Sequence, residues 1–99
     1  MADERAVDLG AVFTLYDIDM LKHKLLDALD RSGDCLRLDG SDIEQLDGAG
    51  LQLLASLILE AREAKKTIEW EGASDELLAS AHLLGLSGLL GLDQQKAGE

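Results

Sequence analysis

A chain of 99 residues is close to the usual size of one domain, so the sequence predicts a single domain over residues 1–99 with one hydrophobic core. Hydrophobic residues make up 46% of the chain and aromatic residues 3%, which excludes a disordered polymer and predicts a core of aliphatic side chains. The net charge of −11 repels phosphate backbones and anionic lipid head groups, so nucleic acid and bare membrane are disfavoured as partners and a neutral or basic protein surface is favoured.

The sequence also indicates a compartment. Residues 1–5 lack the basic, apolar and small-residue order of a secretory signal, and no apolar run approaches the length of a bilayer. Cys35 is the only cysteine, which excludes an intrachain disulfide and agrees with a reducing compartment. We therefore expect a cytoplasmic protein, with residues 93–99 as a flexible polar tail.

Two short strands around Gly10 are predicted first, in residues 6–13, and we expect them to pair as a hairpin. A helix follows, with Thr14 as its N-cap and Asp17 in its first turn. It should stop within Arg31-Ser32-Gly33, where Gly33 can take the left-handed conformation that ends a helix. Its apolar stripe comprises Leu15, Ile18, Leu21, Leu25 and Leu29.

A short central strand is predicted at residues 35–38 and an Asp- and Gly-rich loop at 39–50. A second helix over 49–65 has Glu60, Glu63 and Lys66 on its polar face. Its apolar face comprises Leu53, Leu54, Leu57, Ile58, Ala61 and Ala64, with Leu51, Ala55 and Leu59 off the main stripe. An apolar surface this wide is either wedged between two layers or partly offered to a partner.

The alternation of residues 67–71 predicts a strand with Ile68 and Trp70 on one face. Burial is the favoured interpretation of Trp70, and an exposed contact anchor is the alternative. Ser74 should cap a third helix that ends at Gly85, and a final turn at 86–92 should dock on the core. This order of elements predicts an α/β fold with a mixed sheet and helices on one or both faces.

Several stretches of the sequence resemble the STAS domain, the anti-sigma-factor antagonist family. They are Leu36-Arg37-Leu38-Asp39, Ile43-Glu44-Gln45-Leu46 and Asp47-Gly48-Ala49-Gly50-Leu51-Gln52-Leu53-Leu54, with weaker likeness at residues 14–17, 68–71 and 83–86. The resemblance implies a four- or five-stranded sheet with helices mainly on one face. It also implies docking onto a protein partner through the loop and helix that begin near Asp47, with Asp47, Gly48, Ala49, Gly50, Leu51 and Gln52 as the contact residues.

The chain departs from the family pattern at the phosphorylation site. Many relatives carry Ser or Thr in an Asp-Ser-Ser-Gly-Leu motif, and a partner kinase modifies it. Gly48 and Ala49 occupy the two hydroxyl positions here, so no phosphate can be accepted at the usual place, and Ser41 and Ser56 are the nearest alternatives. The motif is similar to that of a subgroup found beside chemotaxis components or as the small subunit of lipid-transport ABC complexes, which commonly keeps a Thr where Gly48 stands.

Catalytic and cofactor chemistry find little support in the sequence. His23 and His82 have no metal-ligand spacing with each other or with Cys35, so no metal site is predicted and both should be structural. Asp39, Asp42 and Glu44 are better explained as a solvated acidic loop than as a carboxylate site. An anion site at residues 47–50 is less favoured than capping of the helix by Asp47, because no phosphate-binding Gly-rich motif is present.

We therefore expect no enzyme activity, cofactor or metal. The first hypothesis is an interaction module of bacterial signalling, by anti-sigma-factor antagonist-like partner switching or beside chemotaxis components, whose partner is a kinase-like anti-sigma factor or a chemotaxis protein. The alternative is a small accessory subunit that binds the ATPase of an ABC-type lipid transporter. An enzyme ranks third.

Overall fold

A computed structural model describes residues 6–92, which form five strands, one 3₁₀ turn (Leu15–Asp17) and four helices. The predicted α/β class is confirmed. The predicted tail at 93–99 lies outside the described residues. The strands are β1 (Val7–Asp8), β2 (Val12–Phe13), β3 (Cys35–Gly40), β4 (Gln45–Leu46) and β5 (Thr67–Ala73), and the helices are α1 (Ile18–Arg31), α2 (Gly48–Glu63), α3 (Asp75–Leu83) and α4 (Ser87–Leu90).

The strands form a three-stranded sheet in the order β1-β3-β5 and a two-stranded sheet of β2 and β4, and the pairings are parallel. The predicted hairpin is therefore wrong, although its two strands exist. Gly10 has φ of +77° and donates its N–H to the Asp8 carboxylate at 2.9 Å. The turn at Gly10 carries the chain from β1 in one sheet to β2 in the other. A hairpin would require β1 and β2 to be antiparallel neighbours in the same sheet, which they are not.

The three-stranded sheet has one apolar and one polar face. Leu36 and Leu38 of β3 are buried against the helices, as alternation along a strand requires. On the opposite face Arg37 lies 3.7 Å from a Glu69 carboxylate oxygen and 3.3 Å from one of Glu71. Partly exposed ion pairs of this kind contribute little stability, so the packed face holds the sheet in place.

Helix α1 packs on the core through Leu21, Leu25 and Leu29, three of the five predicted stripe positions. Ile18 is half-buried, but Leu15 is 63% exposed, so its predicted burial is wrong. The reason is the 3₁₀ turn, whose tighter winding of three residues per turn places Leu15 off the α-helical stripe. Thr14 precedes this turn but makes no side-chain capping bond.

Helix α1 ends within the predicted Arg31-Ser32-Gly33, but Gly33 is not left-handed, so that part of the prediction is wrong. The helix ends at Arg31, and Ser32 is extended, with φ of −70° and ψ of 156°. Lys66 instead satisfies the terminal carbonyls, since its ammonium donates to Leu29 O at 2.6 Å and Ser32 O at 3.0 Å. A cation at a helix C-terminus is also favoured by the helix dipole.

The second half of the chain follows the prediction more closely. Ser74 accepts a hydrogen bond from the Leu77 N–H and caps α3, and Gly85 beyond its end is left-handed at φ of +71°. Leu90 and Leu92 of the final segment are buried. Trp70 is half-buried and donates its indole N–H to Leu90 O at 2.7 Å, so its polar atom is used within the domain, which supports the burial interpretation.

Candidate functional site

The start of α2 is built around Asp47, which follows the short strand β4 directly. Its Oδ1 accepts the N–H of Gly50 at 2.9 Å, and its backbone oxygen accepts the N–H of Leu51 at 3.1 Å. The capping role predicted for Asp47 is therefore confirmed. Because its carboxylate already takes one of the free N–H groups of this helix end, an external anion has a weaker site here.

The second oxygen of the same carboxylate joins α2 to the 3₁₀ turn. Asp47 Oδ2 accepts the N–H of Leu15 at 2.9 Å, across 32 residues of sequence. Leu15 is 63% exposed and the neighbouring Tyr16 is 97% exposed. One side chain thus fixes two segments next to each other, and the turn presents two large apolar groups to solvent beside the start of α2.

These two backbone hydrogen bonds, first that from Leu15 and then that from Gly50, lower the pKa of Asp47 below its ordinary value. A carboxyl whose pKa is depressed by folding stabilises the protein above its unfolded-state pKa, and this contribution is lost as pH falls through the folded-state pKa. The pKa of Asp39 is also lowered, because its carboxylate accepts hydrogen bonds from the hydroxyl and then the backbone N–H of Ser41.

We predict that Asp47→Asn lowers the melting temperature by several degrees at neutral pH, because the amide has one acceptor oxygen for the two N–H groups and its NH2 group would face the other donor. The difference from the wild type should narrow at acid pH, as pH falls through the lowered pKa of the folded wild-type carboxyl and protonation removes its charge. Thermal unfolding followed by circular dichroism across that range measures it. A constant difference at every pH would show that the charge of Asp47 contributes nothing to stability.

The six residues predicted to contact a partner separate into two groups. Gly48 and Gln52 are exposed and Ala49 is half-buried, so these three present atoms to solvent. Gly50 and Leu51 are buried. A side-chain carbon at Gly50 would overlap the backbone oxygen of Phe13, and Leu51 belongs to the apolar core. Asp47 lies between the two groups as the cap.

Ala49 and Gln52 also line an open, mostly apolar cleft of about 420 Å³ between α1 and α2. The sequence interpretation did not include this cleft. Two features of the sequence could have indicated it. Leu53 and Ser56 follow Ala49 at helical spacings of four and seven and so share its face, and Leu26 is an apolar residue outside the buried stripe of α1. The remaining lining residues are Ile18, Lys22, Leu25, Leu57 and Glu60.

The other candidate side chains do not converge. His23 lies exposed on α1, His82 lies exposed on α3, and Cys35 is half-buried on β3. Asp42 and Glu44 are exposed in the loop before β4. Within residues 6–92 no three His, Cys, Asp or Glu side chains are grouped so that they could hold a metal ion.

The family model described as "Mlab, STAS domain" matches residues 2–91 of the chain. No curated protein and no solved structure matches the chain. None of the helices in residues 6–92 is long and apolar enough to cross a membrane.

Proposed function

The chain belongs to the STAS domain family, and we propose that it is a non-enzymatic, cytoplasmic interaction module of bacterial signalling that docks onto a protein partner through the loop and first turns of α2. STAS domains are generally non-catalytic and consistent with protein-interaction roles. The observation that carries the proposal is the surface at Gly48, Ala49 and Gln52, where a helix start with little side-chain bulk is open to solvent.

The construction of this surface favours a preformed contact. Asp47 locks the start of α2 to the 3₁₀ turn through two hydrogen bonds at 2.9 Å. A partner therefore meets a backbone that is already ordered, which lowers the entropic cost of association. The exposed Tyr16 beside it belongs to one of the residue types, with Trp and Arg, that are enriched among the energetic anchors of interfaces.

Two kinds of pathway fit such a surface. Partner switching or a chemotaxis-associated role agrees with a small, open docking face that binds reversibly. The second candidate is an accessory subunit that binds the ATPase of an ABC-type lipid transporter. The exposed Leu15, Tyr16 and Leu59 favour it, because permanent subunit interfaces are more apolar than transient ones.

Affinity purification of the tagged protein from its native cells, with mass spectrometry, identifies the partner, and titration of the two purified proteins measures direct binding. A stoichiometric complex with a kinase-like regulator or a chemotaxis protein supports the first role, and one with a transporter ATPase supports the second. Turnover of a substrate by the isolated chain would contradict both.

We predict that the docking loop is not a phosphorylation switch. Ala49 has no hydroxyl and Gly48 has no side chain, so phosphopeptide mapping of protein from cells should find no phosphate in residues 47–51. Ser41 and Ser56 are exposed and provide the internal comparison. Stoichiometric phosphate at Ser41 or Ser56 would show that a switch exists but has moved.

A further inference from the structure

The cleft between α1 and α2 is larger than a contact at the start of α2 alone requires. From Ala49 to Glu60 its α2 wall extends over eleven residue steps, which is about 16 Å or three helical turns. Leu25, Leu26, Leu53 and Leu57 supply apolar lining on both walls. This length and composition match the groove that receives one apolar face of an amphipathic helix.

The rim of the cleft is acidic. Glu60 lies on the α2 wall, and Glu63, three residues on, continues the same face. On α1, Asp19 and Asp30 are seven residues before and four residues after Leu26, so they share its exposed side. The lining itself carries one carboxylate, Glu60, and one ammonium, Lys22, so the excess of negative charge comes from the exposed Asp19, Asp30 and Glu63 that flank it on the two helices.

Resting on the proposed docking function, we propose that this cleft holds a basic amphipathic helix of the protein partner. Its apolar side chains pack between Leu26 and Leu53, and its Lys or Arg residues lie against the carboxylates of the rim. The net charge of −11 attracts such a segment at long range, and the apolar floor supplies the short-range burial. Ala49 joins the cleft to the docking loop, so one partner can contact both at once.

A synthetic peptide tests this without knowledge of the partner. The probe has about 15 residues, with Leu and Lys arranged so that the leucines form one helical face. Titrated into the isotopically labelled protein, it should shift the amide NMR signals of Leu26, Leu53 and Ser56. A peptide with Glu in place of each Lys, and a scrambled peptide of the same composition, should bind about tenfold more weakly.

A matched pair of charge reversals localises the effect. Glu60→Lys in the cleft should weaken binding of the Leu/Lys peptide about threefold to tenfold. Glu44→Lys makes the same change on the separate loop before β4 and should have a smaller effect. Equal effects of the two variants, or equal affinity for the acidic peptide, would overturn the assignment.

Other occupants give distinct results, and each would also overturn it. A second copy of the chain would shift the cleft signals on raising the protein concentration alone, and an acyl chain would shift them on addition of decanoate while the peptide does not.

Binding of the native partner separates the two proposals. If Ala49→Gln abolishes binding of the partner but Glu60→Lys leaves its affinity unchanged, the docking surface is supported and the proposal of a helix in the cleft is wrong. If both variants bind unchanged, the docking surface itself is wrong.

Discussion

Gly50→Ala is expected to destabilise the protein by about 3 kcal/mol or more, which is a large share of the 5–15 kcal/mol that a small domain typically has. A side-chain carbon at this position would overlap the backbone oxygen of Phe13 and lie 2.9 Å from its ring and 3.0 Å from Leu46. A flexible side chain could move aside, but the carbonyl belongs to strand β2 and is fixed by its pairing with β4. Either α2 or the two-stranded sheet must therefore shift.

Gly48→Ala is the matched control, since it makes the same chemical change two residues earlier in the same helix. Apart from its chain neighbours and the backbone of its own helix, no atom of the described residues lies within 4 Å of the added carbon, and the backbone of Gly48 is not left-handed. Stability should stay unchanged or rise by up to about 1 kcal/mol, because alanine restricts the unfolded chain. Urea unfolding of both variants measures the difference. Equal stabilities would show that the close approach of α2 to β2 does not matter.

Gly48 and Gly50 also illustrate which features of the fold can be predicted from neighbouring residues and which depend on distant contacts. The motif that begins at Asp47 predicts the start of α2 and its cap, because capping depends on residues three positions apart. That Gly50 is required by the carbonyl of Phe13 depends on a contact across 37 positions of sequence, which no local pattern encodes. Gly48 and Gly50 look alike in the sequence and differ only in the fold.

The errors in the fold have the same origin. Residues 6–13 correctly predict two strands, but their partners, β3 and β4, lie more than 25 residues away, so local spacing suggested a hairpin that does not exist. Strand β4 itself was assigned to a loop, since two residues are too few for alternation to be detected. Gly33 was expected to end α1, whereas Lys66 from another element satisfies the last carbonyls.

Elements that depend on their own residues were predicted well. The strand at β5, the cap at Ser74 and the end of α3 just before Gly85 all depend on residues within a few positions. The exposed face of the candidate site was predicted from the resemblance to STAS domains and stays a prediction, and the adjoining cleft was not predicted. It requires the exposed sides of α1 and α2 to be placed together, and periodicity gives each helix only its own buried stripe.

Ala49→Glu is expected to weaken binding of the native partner about tenfold or more while the domain remains folded. The longer side chain prevents close approach to the start of α2, and this obstruction should outweigh the attraction of the added carboxylate for a basic partner segment in the adjoining cleft. The fold should tolerate it, because Ala49 is half-buried at an open cleft and a glutamate in the first helical turn is favoured by the helix dipole. Ala49→Gln adds similar bulk without charge and should also weaken binding, which separates obstruction from electrostatics.

Ala64→Glu is the matched control for this variant, because it makes the same substitution at the exposed C-cap of α2, about 22 Å along the helix from Ala49. Glu69→Ala on the polar face of the sheet is a second control. Both should bind the partner with nearly wild-type affinity in calorimetric titrations, since neither residue belongs to the docking loop or lines the cleft. Circular dichroism establishes that each variant is folded before binding is compared. A folded Ala49→Glu protein that binds its partner as tightly as the wild type would place the docking surface elsewhere on the domain.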